Sequence, residues 1–180
     1  DNIRRAGILL ASDLKPGDAL KAAAARAPGE ELMASNMRSW REGLPAGLSG
    51  PIAMLDEIRR ANLRGRGGAG FTTALKWDAC RNAQLKAGQQ RVVVCNADEG
   101  EPGTFKDRVL LSRYPDLVFE GMTVAAYAVG ARRGFLYLRG EYRYLLDHLN
   151  AVLAHRRREK LLGNDIIGIP VADFDIEIHV

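Results

Sequence analysis

The sequence has 180 residues, enough for one ordinary domain whose core needs neither disulfides nor a structural metal. Its two cysteines, Cys80 and Cys95, exclude a disulfide framework and are too few to bind a zinc ion or an iron–sulfur cluster alone. No apolar run is long enough to span a bilayer, and the first residues do not resemble a signal peptide. We therefore expect a soluble protein of a reducing compartment.

The charge balance is slightly basic, with 26 basic and 22 acidic residues and a formal net charge of +4. Acids are interspersed with bases nearly everywhere, and the one dense basic run is at residues 156–158. Basic residues in a last helical turn complement the helix dipole, so we favour a solvated helix end for this run. A nucleic-acid-binding patch is the alternative.

Residues 1–48 differ from the rest of the chain. An alanine-rich, helix-prone stretch at 21–26 lies between Pro-Gly pairs at 16–17 and 28–29, and a further break follows at 43–45. This pattern predicts an arm of short helices and loops.

The pattern becomes regular from residue 49 onward. Pro51 suits a first helical turn, and Ile52, Leu55 and Ile58 recur at helical spacing, which predicts a helix that ends at Gly65. A glycine-rich loop occupies residues 65–70. A second helix should begin near residues 72–73, where either threonine could cap it.

Strands and helices alternate after the second helix. Residues 91–96 and 134–139 are short apolar runs typical of strands buried on both faces, whereas the alternation over 174–180 predicts a half-buried strand. Helices are predicted over 116–129 and 141–162. This order predicts an α/β fold over residues 49–180, with a Rossmann-like parallel sheet flanked by helices. Because the sequence stops inside its last strand, we expect an incomplete domain and an N-terminal fragment of a longer protein.

The glycine loop is suited to a phosphate. Gly65, Gly67 and Gly70 match the spacing of the dinucleotide fingerprint, but that fingerprint follows a strand, and here a helix precedes it. A Walker A loop is excluded because no Gly-Lys-Ser/Thr follows. Four glycines in six residues still let backbone N–H groups converge beside a helix N-terminus, where an anion is favoured. The alternative is a flexible connection between two helices.

An acidic loop at residues 96–104 lies just beyond the carboxyl end of the first predicted strand, where α/β sheets bind ligands. Asp98, Glu99 and Glu101 place three carboxylates within four residues, which is a poor choice for stability alone. Their oxygens could accept hydrogen bonds from a ribityl chain, a ribose or an isoalloxazine edge. A solvated turn and a carboxylate metal site are the alternatives, and no group at another strand end supports a metal.

Other side chains carry weaker signals. Phe71, at the end of the glycine loop, could stack on a nucleotide base or a flavin ring. Cys95 lies in a predicted buried strand, where it should be an inert core thiol.

Residues 63–71, 75–77 and 96–108 closely resemble the NADH-oxidising flavoprotein subunit of respiratory complex I, a module also found in NAD-reducing hydrogenases and NAD-dependent formate dehydrogenases. These segments read LRGRGGAGF, LKW and NADEGEPGTFKDR. Residues 119–127 and 137–142 look most like the diaphorase subunit of the NAD-reducing hydrogenases.

The resemblance implies two bound cofactors, FMN and NAD(H). In such subunits the glycine loop lies against both; its residues here are Gly65, Arg66, Gly67, Gly68, Ala69 and Gly70. Phe71 would stack on the adenine of NADH, and Lys76 would contact FMN or the NADH phosphates. Asn96 and Asp98 would hold the flavin with Glu99 nearby, and Glu101 would bind NADH.

The implied activity is that of an FMN-dependent NADH dehydrogenase, or diaphorase, in which hydride passes between NAD(H) and FMN and single electrons pass on to iron–sulfur clusters. Those clusters would lie on absent sequence or on partner subunits of a cytoplasmic complex, which could hold the chain at a membrane face. No catalytic side chain, metal, nucleic acid or membrane insertion is expected, although Glu99 could tune the flavin potential. The alternatives are a non-catalytic scaffold that docks partner subunits and a basic nucleic-acid-binding module.

Overall fold

The computed structural model describes residues 50–65, 69–166 and 173–180. The predicted arm of residues 1–48 lies outside them, and its boundary with residues 49–180 stays a prediction. The helices and strands are, in chain order, α1 Pro51–Arg60, α2 Thr73–Asn82, β1 Val92–Ala97, α3 Lys106–Arg113, α4 Pro115–Val129, β2 Arg133–Leu138, a 3₁₀ helix Gly140–Leu145, α5 Leu146–Arg158 and β3 Asp175–His179.

The three strands form one parallel sheet in the order β1-β2-β3. Val92 of β1 is level with Arg133 of β2, which is level in turn with Asp175 of β3. Helices α3 and α4 lie in the connection from β1 to β2, and α5 lies in the connection from β2 to β3. The predicted α/β fold with a parallel sheet flanked by helices is therefore confirmed.

The helices of the described part cover one face of this sheet. Along β1, Val93 and Cys95 pack against the core, whereas Val92 and Val94 are 39% and 61% exposed. The same alternation runs along β2 and β3. The prediction that residues 91–96 and 134–139 are buried on both faces is thus wrong for the described residues, and the half-buried character predicted for the last strand is confirmed.

Helix α4 is the centre of the core. It packs on β1, β2, α1, α2 and α5, and it begins at Pro115, whose fixed φ suits a first helical turn. It ends at Gly130, whose left-handed φ of 75° is easily reached only by glycine. The fully buried Arg156 of α5 pairs with Asp116 in the first turn of α4. Part of the basic run at 156–158 is therefore an interhelical ion pair.

Two arginines bind carbonyl groups near the C-termini of helices. Arg91, just before β1, donates to the carbonyls of Cys80, Arg81 and Ala83 at 2.6 to 3.0 Å. Arg81 in turn donates to the Ala128 carbonyl at 2.9 Å near the end of α4. Because the last carbonyls of a helix have no partners within it, these guanidinium groups both satisfy and orient α2 and α4.

The packing of Phe174 and Met122 against β2 depends on a glycine. A Cβ on Gly134 would lie 2.5 Å from Cζ of Phe174 and 3.2 Å from Cε of Met122. Phe174 is 3% exposed, so its ring occupies the space that a side chain on β2 would need. Glycine is required here for packing.

Several predicted boundaries are corrected. Helix α1 ends at Arg60 and not at Gly65, and Ile52 is 66% exposed because Ala53 and Met54 face the core instead. The predicted helix over 141–162 begins as a 3₁₀ helix, and α5 ends at Arg158. Helix α3 was not predicted at all.

Candidate functional site

The polar residues at the carboxyl edge of the sheet come from two neighbouring strands. Asn96 is level with Tyr137, and the Arg139 N–H donates to the Ala97 carbonyl at 3.2 Å. The acidic loop after β1 and the segment after β2 therefore leave the sheet side by side. This edge is the expected ligand position in an open α/β sheet.

The acidic loop is held by its own hydrogen bonds. The Asn96 side chain accepts the Asp98 N–H at 3.0 Å, and the Gly100 N–H donates to the Asp98 carbonyl at 3.0 Å. Farther along, the Thr104 hydroxyl donates to the Glu101 carbonyl at 2.6 Å. Asn96, Asp98 and Glu101 remain exposed, so their side-chain oxygens are accessible to a ligand.

Glu99 differs from the other two carboxylates because it is only 5% exposed. It accepts the backbone N–H groups of Asp107 at 3.1 Å and Arg108 at 3.4 Å, and the Tyr142 hydroxyl at 2.9 Å. Burial opposes its ionisation, but these hydrogen bonds and the nearby charge of Lys106 outweigh burial, so the pKa of Glu99 lies below its ordinary value of 4.5. Glu99 is therefore a buried anion directed into the protein.

The glycine loop is closed at its base by backbone hydrogen bonds. The Gly65 N–H donates to the Phe71 carbonyl at 2.7 Å, and the Thr73 N–H donates to the Leu63 carbonyl at 2.9 Å. The Arg64 guanidinium adds a bond to the Gly70 carbonyl at 3.2 Å, and Gly70 adopts a positive φ of 59°. Arg66, Gly67 and Gly68 lie outside the described residues.

The residues that follow the glycine loop are accessible. Phe71 is 58% exposed, Lys76 and Leu75 are also exposed, and all three lie at or near the start of α2. Thr72 occupies the N-cap of α2 as predicted, but its hydroxyl makes no capping bond. An exposed ring and an ammonium group next to a helix N-terminus can receive a flat ring and a phosphate.

The predicted site residues therefore form two groups. Asn96, Asp98, Glu99 and Glu101 belong to one loop at the sheet edge, and Gly65, Ala69, Gly70, Phe71 and Lys76 belong to the α1–α2 connection. Hydrogen bonds to Glu99 connect the first group to α3 and to the segment after β2. The second group is held by backbone hydrogen bonds between the residues that flank the glycine loop.

Sequence reasoning did not single out as site candidates the side chains at the end of β2 and just after it, which lie at the same sheet edge. Tyr137 is 53% exposed at the end of that strand, and Arg139 donates to Glu141 at 2.8 Å. The hydrogen bond from Arg139 lowers the pKa of Glu141 to about 2. The signal was present, because two adjacent parallel strands must end at the same edge.

Cys95 lies beneath this edge. Burial, with a smaller contribution from Asp107, raises its pKa to about 11, so the thiol is protonated at neutral pH.

Among residues 50–65, 69–166 and 173–180, no group of three or more His, Cys, Asp or Glu could hold a metal ion. None of the helices in the described part of the chain has the length and apolar character needed to cross a bilayer.

The fold and the site define a class: a parallel α/β domain with its accessible polar groups at the carboxyl edge of the sheet. Within that class, the chain belongs to the family described as the Nuo51 FMN-binding domain, whose model matches residues 58–180.

Curated relatives agree with this family. The chain is 55% identical over 130 residues to the NAD-reducing hydrogenase HoxS subunit alpha of Cupriavidus necator, covering 72% of this chain and 21% of that protein. It is 41% identical over 140 residues to one subunit of the NADH-quinone oxidoreductase of Escherichia coli, covering 77% of this chain and 31% of that protein. The chain thus spans between a fifth and a third of the length of these relatives.

A solved structure shows the same fold. A crystal structure of an NAD⁺-reducing [NiFe]-hydrogenase in the H₂-reduced state is 45% identical and superposes with a TM-score of 0.58, covering 78% of this chain and 24% of that chain.

Proposed function

We propose that this chain forms part of the FMN- and NADH-binding module of a multi-subunit redox enzyme, in which hydride passes between NAD(H) and FMN. The observation that carries the proposal is the acidic loop, which presents three accessible side chains at the sheet edge in a chain of an FMN-binding family. The higher identity to the hydrogenase relative supports a diaphorase of the NAD-reducing hydrogenase type.

The residues present suit the chemistry of FMN. Its hydroxylated chain needs hydrogen-bond acceptors, which Asn96 and Asp98 supply, and neither Asp98 nor Glu101 enters an ion pair within the described residues. Its phosphate needs a cation or backbone donors, for which Lys76 at the start of α2 is accessible. Its ring needs an apolar partner, and the exposed rings of Phe71 and Tyr137 are available for FMN or NADH.

The protein's part in the reaction is placement and electrostatics. FMN, when bound, supplies the chemistry that accepts a hydride and releases electrons one at a time. The acidic loop would orient the ligands, and its fixed negative charges would disfavour additional negative charge nearby. We therefore expect Glu99→Gln to raise the flavin reduction potential; an unchanged or lower potential in a redox titration would contradict this.

The partners follow from the same proposal. Onward electron transfer requires iron–sulfur clusters, which we assign to sequence outside this chain or to partner subunits. We further propose a cytoplasmic location, with attachment to the cytoplasmic membrane face only through such partners. Residues 49–180 would be the binding domain, and residues 1–48 an arm.

The experiment is an FMN titration of the complete natural protein, followed by anaerobic addition of NADH. We expect flavin fluorescence to be quenched on binding and the flavin absorbance to bleach with NADH. Asp98→Asn should weaken FMN binding, whereas Asp147→Asn on the exposed side of α5 should not. If the wild-type protein does not quench the fluorescence, the proposal fails and the scaffold alternative stands.

The alternative of a nucleic-acid-binding surface is weakened because several of the arginines that would form it pair with acidic side chains. Arg156 is buried against Asp116, Arg157 bonds to Asp175 at 3.0 Å, and Arg133 bonds to Glu177 at 2.7 Å. Acidic partners beside these three arginines reduce the positive charge that this surface can offer to a phosphate backbone.

A further inference from the structure

Tyr142 connects the two segments that leave the carboxyl edge of the sheet. It lies in the 3₁₀ helix after β2, its ring belongs to the main core cluster, and the residue is 8% exposed. Its hydroxyl reaches across to Glu99, 43 residues earlier in the sequence, at 2.9 Å. The Arg139 guanidinium, just after β2, lies over the Tyr142 ring, 5.9 Å from its centre. The ring is therefore fixed by packing, and the hydroxyl has one defined acceptor.

Glu99 connects Tyr142 to helix α3, because its carboxylate accepts hydrogen bonds from the first turn of that helix. The residue at the N-cap of α3 is Phe105, which has no side-chain acceptor, so the first-turn N–H groups need another partner. Glu99 supplies it, with one carboxylate oxygen on Asp107 and the other on Arg108. The Tyr142 hydroxyl shares the oxygen that accepts Arg108, which sets the orientation of the whole carboxylate.

The segment held in this way contains the accessible ligand groups. Asp98 directly precedes Glu99, and Glu101 lies between Glu99 and the start of α3. Rotation of the Glu99 side chain would remove the acceptor of two N–H groups in the first turn of α3 and would loosen the backbone next to Asp98 and Glu101.

We propose that Tyr142 is a positioning residue of the FMN- and NADH-binding site, whose hydroxyl orients Glu99 so that the acidic loop and α3 hold their ligand-binding arrangement. This inference rests on the proposed function.

The chemistry of the phenol suits this role. Burial and the hydrogen bond to Glu99 raise the pKa of Tyr142 above its ordinary value of 10, so the hydroxyl keeps its proton at neutral pH. It therefore donates to the carboxylate without adding a second charge to a buried place.

The test is Tyr142→Phe in the complete natural protein, which keeps the ring and removes only the hydroxyl. Tyr144→Phe is the matched control, because Tyr144 is 65% exposed and its ring lies 6.4 Å from that of Tyr142. We expect Y142F to accelerate amide hydrogen exchange at Asp107 and Arg108. It should weaken FMN binding about three- to tenfold, because only part of the free energy of the lost hydrogen bond to a charged group is transmitted to the ligand site. Y144F should change neither quantity.

A double variant identifies the route of the effect. If Tyr142 acts through Glu99, Y142F should change FMN affinity much less in a Glu99→Ala background, which offers the hydroxyl no side-chain acceptor, than in the wild type. Equal changes in both backgrounds would overturn the positioning role, as would wild-type exchange at Asp107 and Arg108 in Y142F. Exchange is measured without cofactor, so it tests the Tyr142 linkage independently of FMN. A wild-type protein that does not bind FMN would instead overturn the proposed function and, with it, the assignment of Tyr142 to an FMN site.

Discussion

The acidic loop and the glycine loop are held in place by different means. The acidic loop is anchored by a buried side chain, Glu99, whose partners belong to α3 and to the segment after β2. The glycine loop is closed by backbone hydrogen bonds between its own flanks, chiefly Gly65 with Phe71 and Thr73 with Leu63. The first loop therefore depends on tertiary structure in addition to its own hydrogen bonds, whereas the second depends on local backbone conformation.

The largest effect should come from removal of the anchor of the acidic loop. Glu99→Ala leaves two N–H groups and the Tyr142 hydroxyl without their acceptor, which should lower the free energy of unfolding by about 2–3 kcal/mol. Glu101→Ala, in the same loop but exposed, should change it by less than about 0.5 kcal/mol. Urea denaturation of both variants measures the difference; equal stabilities would mean that the anchor does not hold the loop.

A somewhat smaller effect is expected from the amino end of the sheet, opposite to the edge that carries the acidic loop. Gly134→Ala would force Phe174 and Met122 apart, and overpacking of this kind costs about 1–3 kcal/mol. Gly121→Ala has the opposite expectation, because Gly121 lies within α4 with nothing near its Cβ position, and alanine is favoured there by about 0.5–1 kcal/mol. Thermal unfolding should move in opposite directions for the two; a stabilised G134A would show that β3 can shift freely.

Backbone strain should distinguish positions within the glycine loop. Gly70 has a φ of 59° with open space around its Cβ position, so Gly70→Ala should cost about 1 kcal/mol from conformation alone. In Gly65→Ala the new Cβ would lie 3.5 Å from the Phe71 carbonyl oxygen, an ordinary contact, and φ is not positive. Gly65→Ala should therefore be the milder change in chemical denaturation. The reverse order would mean that packing, and not φ, governs this loop.

The smallest expected effect is on the pH dependence of the free energy of unfolding, and it appears only in acid. Because the pKa of Glu99 is depressed in the folded protein, its contribution to stability is full above 4.5 and is lost as the pH falls through the folded pKa. The stability difference between wild type and Glu99→Gln should therefore be constant from pH 5 to 7 and shrink below 4.5. Denaturation midpoints measured across this range would settle the sign, and a gap that widens on acidification would contradict it.

The sequence predicted the order of most elements because their patterns are local. The apolar spacing of α4 and the alternation of β3 both survive in the structure. Helix α3 was missed because KDRVLLSR is short and carries four charges, so it has little periodic signal. The open face of the sheet was missed because Val92 to Cys95 is a continuous apolar run. Such a run does not show that every second side chain is exposed in the part of the chain that the structure describes.

The candidate site was predicted as a set of residue types and not as an arrangement. Asp98, Glu99 and Glu101 look equivalent in the sequence, and nothing near them indicates which carboxylate is buried. That choice depends on Tyr142, whose approach requires the parallel pairing of β1 with β2 and the turn after Leu138. Long-range register of this kind cannot be obtained from spacing in a single sequence.

The hydrogen bonds from Asp107 and Arg108 to Glu99 close the acidic loop into a small ring. The two bonds span sequence separations of eight and nine residues, and the entropy of closing a loop grows slowly with its length, by about 0.6 kcal/mol for each doubling. Its glycines and exposed carboxylates lose much of their conformational freedom during folding. A ligand that binds to Glu101, which lies inside this ring, consequently meets a group whose backbone is already ordered, and more of its contact energy is retained as affinity.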